Sequence, residues 1–446
     1  MCGIAGYVGT RRIDDGAVKM CVAALKQRGP DDSGIKRFTM SDDREVCLVN
    51  RRLRIIDLDP RAGQPLDYGD YWITYNGELY NYVELRRELT ARGATFRTQS
   101  DTEVLAAAIA MDGRMALDRC EGMWAFAVYD ERERTLLLCR DRFGEKPLYL
   151  YRDSTGLYFA SETRVLRTLL GHSLKPNATQ LTRYLVNGYK SLYKSGETFL
   201  EGVTELPPGS WLQIDAAGRE TTGRYWTPSI APDPEMQYGD AVTGVRYHLE
   251  KAVSIRLRAD VPLAFCLSGG VDSNAIAAIA ARACGYDVHG FTVVDPDPRY
   301  NEDALASDAA QALGIRHTKM AVSRENFLAR LREQVKYHDA PVATISYFVH
   351  WQLMQRVAAE GYRVSVSGTG ADELFSGYYD HHLFYLAAIQ DDGHRLAEAK
   401  RDWETHVKPL VRNPFLADPD RFVKTPSFRD HIYLDAPYFS DFLVKP

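Results

Sequence analysis

Three prolines fall within seven residues in Thr227-Pro228-Ser229-Ile230-Ala231-Pro232-Asp233-Pro234, and the hydrophobic pattern of the chain differs on either side of them. Proline fixes φ and removes a backbone donor, so such a run joins folded units rather than sitting inside one. Before it, short β-like runs at 45–49, 71–75, 124–129 and 135–139 are punctuated by Gly, Asp and Pro, and helical periods occur only at about 14–27, 82–92 and 101–112. This predicts an α+β domain over 2–225, with stacked antiparallel sheets and flanking helices, and then a linker at 226–240. After the linker, helices at 241–258, 274–284, 303–313, 325–337 and 347–360 are interspersed with strands at 263–267, 288–294 and 363–367. That pattern predicts an α/β domain over 241–446 with a doubly wound parallel sheet, whose ligands sit beyond the carboxyl ends of the strands. The tail from about 385 to 446 is aromatic and charged without a clear period.

Composition narrows the function. A chain of 446 residues, 45% hydrophobic and 26% charged, can build two or three ordinary cores. A net charge of -5 supplies no basic stripe, so nucleic acid is not an expected partner. No window approaches the length of a membrane span, and a cytoplasmic protein without membrane contact is expected. Seven cysteines, at 2, 21, 47, 120, 139, 266 and 284, form no CxxC pair. This argues against a zinc site and a disulfide framework, and leaves six of them as core or reduced bystanders.

The seventh is Cys2, in Met1-Cys2-Gly3-Ile4-Ala5-Gly6. Removal of the initiator methionine would leave a thiol and an α-amine on one residue. The amine titrates near 8, so it can take the thiol proton and later deliver it to a leaving amine. Small Gly3 and Ala5 would let a substrate come close; the alternative is a buried apolar cysteine. In Asn76-Gly77-Glu78 a side-chain amide beside a glycine N–H can offer two donors to a developing oxyanion, although Asn-Gly is also the commonest hairpin turn. Ser100-Asp101-Thr102-Glu103 reads as a helix N-cap whose Asp could also face a substrate ammonium.

A second centre follows the strand Leu263-Ala264-Phe265-Cys266-Leu267. There Ser268-Gly269-Gly270-Val271-Asp272-Ser273 leads into a helix, which aims backbone N–H groups and the positive helix end at one spot and suits a phosphate. No GxxxxGK[ST] motif is present, which argues against a Walker loop. Val364-Ser365-Val366-Ser367 leads into a second polar loop, Gly368-Thr369-Gly370-Ala371-Asp372-Glu373. Asp272 and Asp372 are candidate ligands for Mg2+ bridging phosphates, with ordinary helix-start acids as the alternative for Asp372 and Glu373.

Six ordered motifs carry a resemblance. The amino-terminal stretch at Cys2, Arg28-Gly29-Pro30-Asp31, Arg52-Leu53-Arg54-Ile55-Ile56-Asp57, Tyr75-Asn76-Gly77-Glu78-Leu79-Tyr80-Asn81, Ser100-Asp101-Thr102-Glu103 and Arg140-Asp141-Arg142-Phe143-Gly144 occur in the order of class II, N-terminal nucleophile glutamine amidotransferases. The likeness spans roughly residues 2–210. Ser268 to Ser273 is similar to the PP-loop of ATP pyrophosphatases, and together the halves resemble glutamine-hydrolysing asparagine synthetase over residues 2 to about 382. Glucosamine-6-phosphate synthase and amidophosphoribosyltransferase share the first domain type, but not the PP-loop.

The resemblance implies that Cys2 attacks the glutamine amide and that Asn76 and Gly77 form the oxyanion hole. Glutamine would be held by Arg52, Leu53, Arg54, Ile55, Ile56, Asn76, Gly77, Glu78 and Asp101, with Arg52, Glu78 and Asp101 taking its charged ends. ATP would be held by Leu267, Ser268, Gly269, Gly270, Val271, Asp272, Ser273, Val293, Ser367 and Gly368, with Mg2+ at Asp272 and Asp372. A carboxylic acid, aspartate first, would be adenylated and then converted to its amide by ammonia from glutamine, passed along an internal route. Dimers are common in this family.

The chain departs from the family pattern at three points. Gln27 stands where these synthetases usually carry His. Thr369 stands where they usually carry the Glu associated with the adenylate step, and a hydroxyl cannot act as a carboxylate base near neutral pH. Family members normally continue well past this length and carry a lysine motif near the adenylate, which no lysine of the tail matches; a truncated form or an incomplete synthetase site is expected. Three alternatives stay open. They are a glutaminase with an impaired synthetase half, a partner-binding subunit, and an amidotransferase for a different acid of a surface-polysaccharide or natural-product pathway.

Overall fold

The computed structural model describes residues 2–40, 42–189, 192, 196–297 and 300–429. The part of the tail from 430 to 446, including Lys445 and Pro446, lies outside the described residues. The strands are β1 (Gly3–Gly9), β2 (Asp32–Thr39), β3 (Glu45–Arg52), β4 (Leu66–Tyr68), β5 (Tyr71–Leu79), β6 (Gly122–Asp130), β7 (Thr135–Arg140), β8 (Tyr149–Asp153), β9 (Gly156–Ala160), β10 (Val203–Glu205), β11 (Ser210–Ile214), β12 (Glu220–Arg224), β13 (Leu263–Cys266), β14 (His289–Val294), β15 (Arg316–Ala321) and β16 (Val364–Val366). The helices are α1 (Asp15–Ala24), α2 (Tyr82–Ala91), α3 (Asp101–Asp112), α4 (Thr163–Leu170), α5 (Ala178–Asn187), α6 (Tyr238–Arg256), α7 (Val271–Ala278), α8 (Asp303–Leu313), α9 (Phe327–His338), α10 (Ser346–Ala359), α11 (Ala371–Phe375), α12 (Tyr379–Ala388), α13 (Gly393–Asp402) and α14 (Arg421–Lys424).

The first half is a four-layer sandwich. One antiparallel sheet has the order β10-β8-β9-β1-β3-β2 and the other β12-β11-β7-β6-β5-β4. Their inner faces share a core of Ile4, Val8, Val46, Leu48, Ala125, Ala127 and Phe159. The outer face of the first sheet packs Ala5, Tyr7, Cys47 and Val49 against Val18 and Cys21 of α1 and Val165 and Leu169 of α4. The outer face of the second packs Ile73, Tyr75, Trp124 and Phe126 against α2 and α3. Period-two alternation therefore decides which residues look into the central layer. On β1 and β3 they are the even-numbered ones.

The second half has one parallel sheet, ordered β15-β14-β13-β16. The chain moves outward from β13 to β15 and then returns to the other side of β13 for β16. The switch point thus lies between the loops that follow β13 and β16, where α/β sheets bind ligands. The fold class read from the pattern is the one observed.

Several local readings needed correction. Helices α4 and α5 were not expected in the first half; α4 carries Val165, Leu166, Leu169 and Leu170 as a buried stripe on only eight residues, too short a window for the period to stand out. Strand β15 reads Arg-His-Thr-Lys-Met-Ala, an edge strand with no apolar run to announce it. The region after 385 is not aperiodic throughout, because α13 and part of α12 lie in it and Leu383, Leu386, Trp403, Leu416 and Phe422 form a small core. Helix α6 begins at Tyr238, inside the stretch read as linker, whose residues 226–237 form neither helix nor strand.

Candidate active site

Cys2 precedes β1 and shares the parity of Ile4, so its side chain enters the central layer at the end of the sandwich. It is buried, and its Sγ accepts the Leu53 N–H at 3.3 Å, while the Arg28 side chain holds the Cys2 carbonyl at 2.9 Å. Burial pushes the thiol up; the Leu53 N–H and Arg52 pull it back in part. Gly3 and Ala5 are small for a different reason from the one expected. They face the helix layer, where a Cβ on Gly3 would lie 2.7 Å from the Leu25 side chain.

Asn76 and Gly77 are not a hairpin turn. They sit inside β5, opposite Ala125 and Trp124 of β6. Asn76 is fully buried, and neither its Nδ2 nor its Oδ1 has a hydrogen-bond partner. A buried unpaired amide costs free energy unless something completes it, which makes this side chain fit to receive a ligand oxygen. Gly77 has no room for a side chain, since its Cβ would meet the Met123 carbonyl at 2.2 Å.

Glu78 and Asp101 bring two buried carboxylates to the same end of the layer. Burial and then the neighbouring Asp101 charge raise Glu78 to about 7, against the opposing pull of Lys146. Burial also raises Asp101, although its carboxylate accepts the Leu79 N–H at 2.9 Å. No ion pair joins either group to a lysine or arginine among the described residues. Arg52 is the complementary charge. It is buried, its Nη2 donates to the carbonyls of Ile56 at 3.1 Å and Asp57 at 2.5 Å, and among the described residues its one carboxylate within 4 Å is Asp32 at 3.7 Å. One buried cation and two buried acids suit a zwitterion that is itself cationic at one end and anionic at the other.

The remaining expected contacts divide. Leu53, Ile55 and Ile56 are buried in one cluster with Cys2. Arg54 is committed elsewhere, with its guanidinium paired to Asp32 at 2.5 and 2.8 Å and its Nη1 on the Leu58 carbonyl. Sequence reading assigned no role to Asn50, Gln64 or Lys146. Asn50 donates to Gln64 and Thr74 but leaves its buried Oδ1 unpartnered in the same layer, and its even position on β3 was the available signal. Asp141, in a motif that had been given no role, accepts backbone N–H groups from Trp124, Phe143, Glu145 and Lys146 at 2.9–3.1 Å and so shapes the loop that delivers Lys146.

The second centre lies at the switch point, in a cavity of about 820 Å³. Leu267, Ser268, Gly270, Asp272, Ser273, Val293, Ser367, Gly368 and Thr369 line it, whereas Gly269, Val271 and Asp372 do not. Ser268 Oγ lies 2.9 Å from Ser273 Oγ, and Gly270 N–H donates to Ser268 Oγ, which folds the first loop over the start of α7. Gly368 touches that helix start, where its Cβ would lie 2.8 Å from Ser273 N, so only glycine lets the two loops meet. Val271 is 82% exposed. The Asp372 carboxylate lies against Gly377. Among the described residues no group of three or more His, Cys, Asp or Glu could cage a metal ion. Mg2+ needs less, because it keeps several waters and takes one or two carboxylates with substrate phosphates, and Asp272, which lines the cavity, fits that demand. Asp295 and Glu302 also line the cavity and had not been anticipated.

The halves touch around the first centre. Ala259, Val261 and Val364 pack on the cluster of Cys2, Leu53, Ile55 and Ile56. Arg363 pairs with Asp31 at 2.6 Å, and Arg258 holds both Glu84 and the Tyr80 carbonyl. Beside them a cleft of about 1310 Å³ is lined by Gln27, Arg164 and Arg167 from one half and by Tyr347, His350, Trp351 and Ser367 among others from the second. Among the described residues no helix is long and apolar enough to cross a membrane.

Comparison with known proteins agrees with this arrangement. A family model described as a glutamine amidotransferase domain matches residues 1–226, and one described as asparagine synthase matches 244–421. The chain is 34% identical over 399 residues to asparagine synthetase [glutamine-hydrolyzing] 1 of Bacillus subtilis, covering 85% of this chain and 59% of that protein. It is 35% identical over 411 residues to a putative asparagine synthetase [glutamine-hydrolyzing] of Mycobacterium bovis, covering 85% and 60%. It is also 31% identical over 410 residues to a protein named amidase chry2 of Gibberella zeae, covering 85% and 59%. The chain thus spans about six-tenths of the length of these relatives.

Proposed function

Because the chain belongs to the glutamine-hydrolysing asparagine synthetase family, we propose that it makes an amide from glutamine, ATP and a carboxylic acid. The observation that carries the reading is the buried, unpartnered Asn76 amide in the layer that holds Cys2. The Cys2 thiolate attacks the glutamine side-chain carbonyl, Asn76 Nδ2 and the Gly77 N–H receive the oxyanion, and ammonia leaves with the proton the thiol gave up. Water then releases glutamate from the thioester. Arg52 takes the α-carboxylate of glutamine, while Glu78 and Asp101 take its α-ammonium.

At the second centre the Ser268–Ser273 loop and the start of α7 hold the phosphates of ATP, with Val293 at the base. The acid's carboxylate displaces pyrophosphate to give an acyl adenylate, and ammonia then displaces AMP to give the amide. Mg2+ at Asp272 would neutralise phosphate charge. The apolar cluster of Cys2, Ile55, Ile56, Val261 and Val364 supports a water-poor route for ammonia, since β16 begins at Val364 and runs to the Ser367–Thr369 loop.

The acid itself has two readings. Aspartate follows from the relatives' names. A bulkier acid is favoured by the inter-domain cleft, which shares His350 and Ser367 with the nucleotide cavity and has far more room than aspartate needs. The test incubates the protein with glutamine, ATP, Mg2+ and carboxylic acids of graded size, and follows glutamate, AMP, pyrophosphate and amide by mass spectrometry. Amide and AMP with one acid identify the acceptor. Glutamate without AMP under every acid refutes the synthetase half of the proposal and leaves a glutaminase.

A further inference from the structure

Arg52 and Asp101, the two ends of the glutamine grip, come from different segments of the chain, and one buried side chain joins them. Asp57 is 8% exposed and adopts a left-handed backbone at φ 58°, a conformation that Asp and Asn tolerate better than most residues. That turn aims its carbonyl at Arg52 Nη2, 2.5 Å away, beside the Ile56 carbonyl at 3.1 Å. Its carboxylate reaches the other way. Oδ2 accepts the Gln99 N–H at 2.6 Å, two residues before Asp101, and Ser100 between them caps α3 through the Thr102 N–H. Oδ1 accepts the Asp59 N–H at 3.0 Å, and the Asp59 carbonyl in turn holds Arg52 Nη1 at 3.2 Å.

The same residue is tied across the domain border. The Asp57 N–H donates to Asp260 Oδ2 at 2.7 Å, and the Asp260 N–H donates to the Ile55 carbonyl at 2.9 Å. Asp260 lies three residues before β13, the strand that ends at the phosphate loop. None of these bonds touches the thiol or the oxyanion donors. They fix the distance between the group that takes the carboxylate of glutamine and the group that takes its ammonium.

We propose that Asp57 is a positioning residue for glutamine binding, which sets the spacing of the Arg52 and Asp101 arms and is itself held by Asp260 of the second domain. The proposal rests on the reading of Arg52 and Asp101 as the grip on glutamine. Asp57→Asn retains the left-handed turn and one acceptor, but turns an amide N–H toward either Gln99 N or Asp59 N. Its KM for glutamine rises about tenfold while kcat stays within about threefold, as expected when a charged hydrogen bond that serves binding is lost. Asp260→Ala, at an exposed position where folding is safe, raises KM in the same direction by about threefold.

A second readout separates positioning from general damage. Inactivation of Cys2 by 6-diazo-5-oxonorleucine, which carries both charged ends, slows by the same factor as kcat/KM falls. Alkylation of Cys2 by iodoacetamide, which carries neither end, keeps its rate. Unchanged KM and diazoketone rates in both variants overturn the proposal, as does an iodoacetamide rate that falls in step with the diazoketone rate. Failure of the underlying reading looks different: Arg52→Gln would then leave the KM for glutamine unchanged, whatever Asp57 does. If Asp57→Asn fails to fold, Asp260→Ala decides the matter alone.

Discussion

Replacing Glu78 by glutamine should stabilise the ligand-free protein and weaken its hold on glutamine, with both effects governed by pH. Burial and the Asp101 charge raise Glu78 from 4.5 to about 7. Between those values the folded protein binds a proton that the unfolded chain has released. The stability this group contributes is therefore complete below pH 4.5 and is lost as pH rises through 7. The span is worth roughly 3 kcal/mol at about 1.4 kcal/mol per unit. Glu78→Gln keeps the shape and removes the charge, so it gains up to that amount above pH 7 and nothing below 4.5. Glutamine binding has the opposite dependence, because the α-ammonium calls for the ionised carboxylate. Measured by calorimetry in a Cys2→Ala background, where the thiol cannot titrate, affinity for glutamine is expected to rise about tenfold from pH 6 to pH 8, with release of about half a proton at pH 7. Glu78→Gln in the same background binds weakly and without pH dependence. A flat affinity profile for the Cys2→Ala protein, or a thermal-midpoint gain in Glu78→Gln that is equal at pH 5 and pH 8, would refute the reasoning.

Other outcomes follow from the same geometry. Asn76→Ala removes the side-chain donor of the oxyanion pair and lowers kcat for glutamine by about 10²–10³ with little change in KM, checked by steady-state glutamate release. Asp141→Ala strands four backbone donors, at about 1–3 kcal/mol for each one left buried and unpaired, and is expected to lower the first thermal transition sharply. Gly368→Ala forces a methyl to 2.8 Å from Ser273 N and pushes the two polar loops apart, so ATP affinity falls at least about tenfold in equilibrium binding while glutaminase activity is retained.

The division of the fold was legible because each half obeys one period. Even-numbered residues of β1 and β3 and the Asn76, Glu78 pair of β5 fall into the central layer by alternation alone, and the β13 loop announces itself as an apolar strand followed by glycines. What stayed hidden depends on partners distant in sequence. Nothing local distinguishes Arg52 from Arg54, yet one guanidinium is buried on carbonyls and the other is taken by Asp32. Asp141 and Asp57 sat within quoted motifs without a role, because their function is to collect backbone N–H groups from other segments. Strand β15 and helix α4 were missed since an edge strand and a two-turn helix give the period too few residues to register.

Thr369 concentrates the remaining chemistry. Its hydroxyl accepts from Ser367 Oγ at 3.1 Å and faces the cavity at the switch point, where the resemblance read from the sequence leads one to expect a carboxylate. The acids nearby in sequence do not replace it. Glu373 accepts the Tyr378 hydroxyl at 2.8 Å, and Asp372 lies against Gly377. Of the carboxylates that do line the cavity, Glu302 is bound to the Gly269 N–H at 2.9 Å and Asp272 sits at the phosphate loop. Asp295 stands just past the end of β14, on the far side of β13 from Thr369, and its Oδ1 accepts the Asp297 N–H at 2.8 Å. Under the proposed amide synthesis, a proton leaves the attacking ammonia as the amide forms. Among the described residues that line the cavity, Asp295 is one source of that base and the acid substrate with its leaving phosphate is another; the second route calls for an acceptor that brings its own polar groups, which the large cleft behind Ser367 has room to admit.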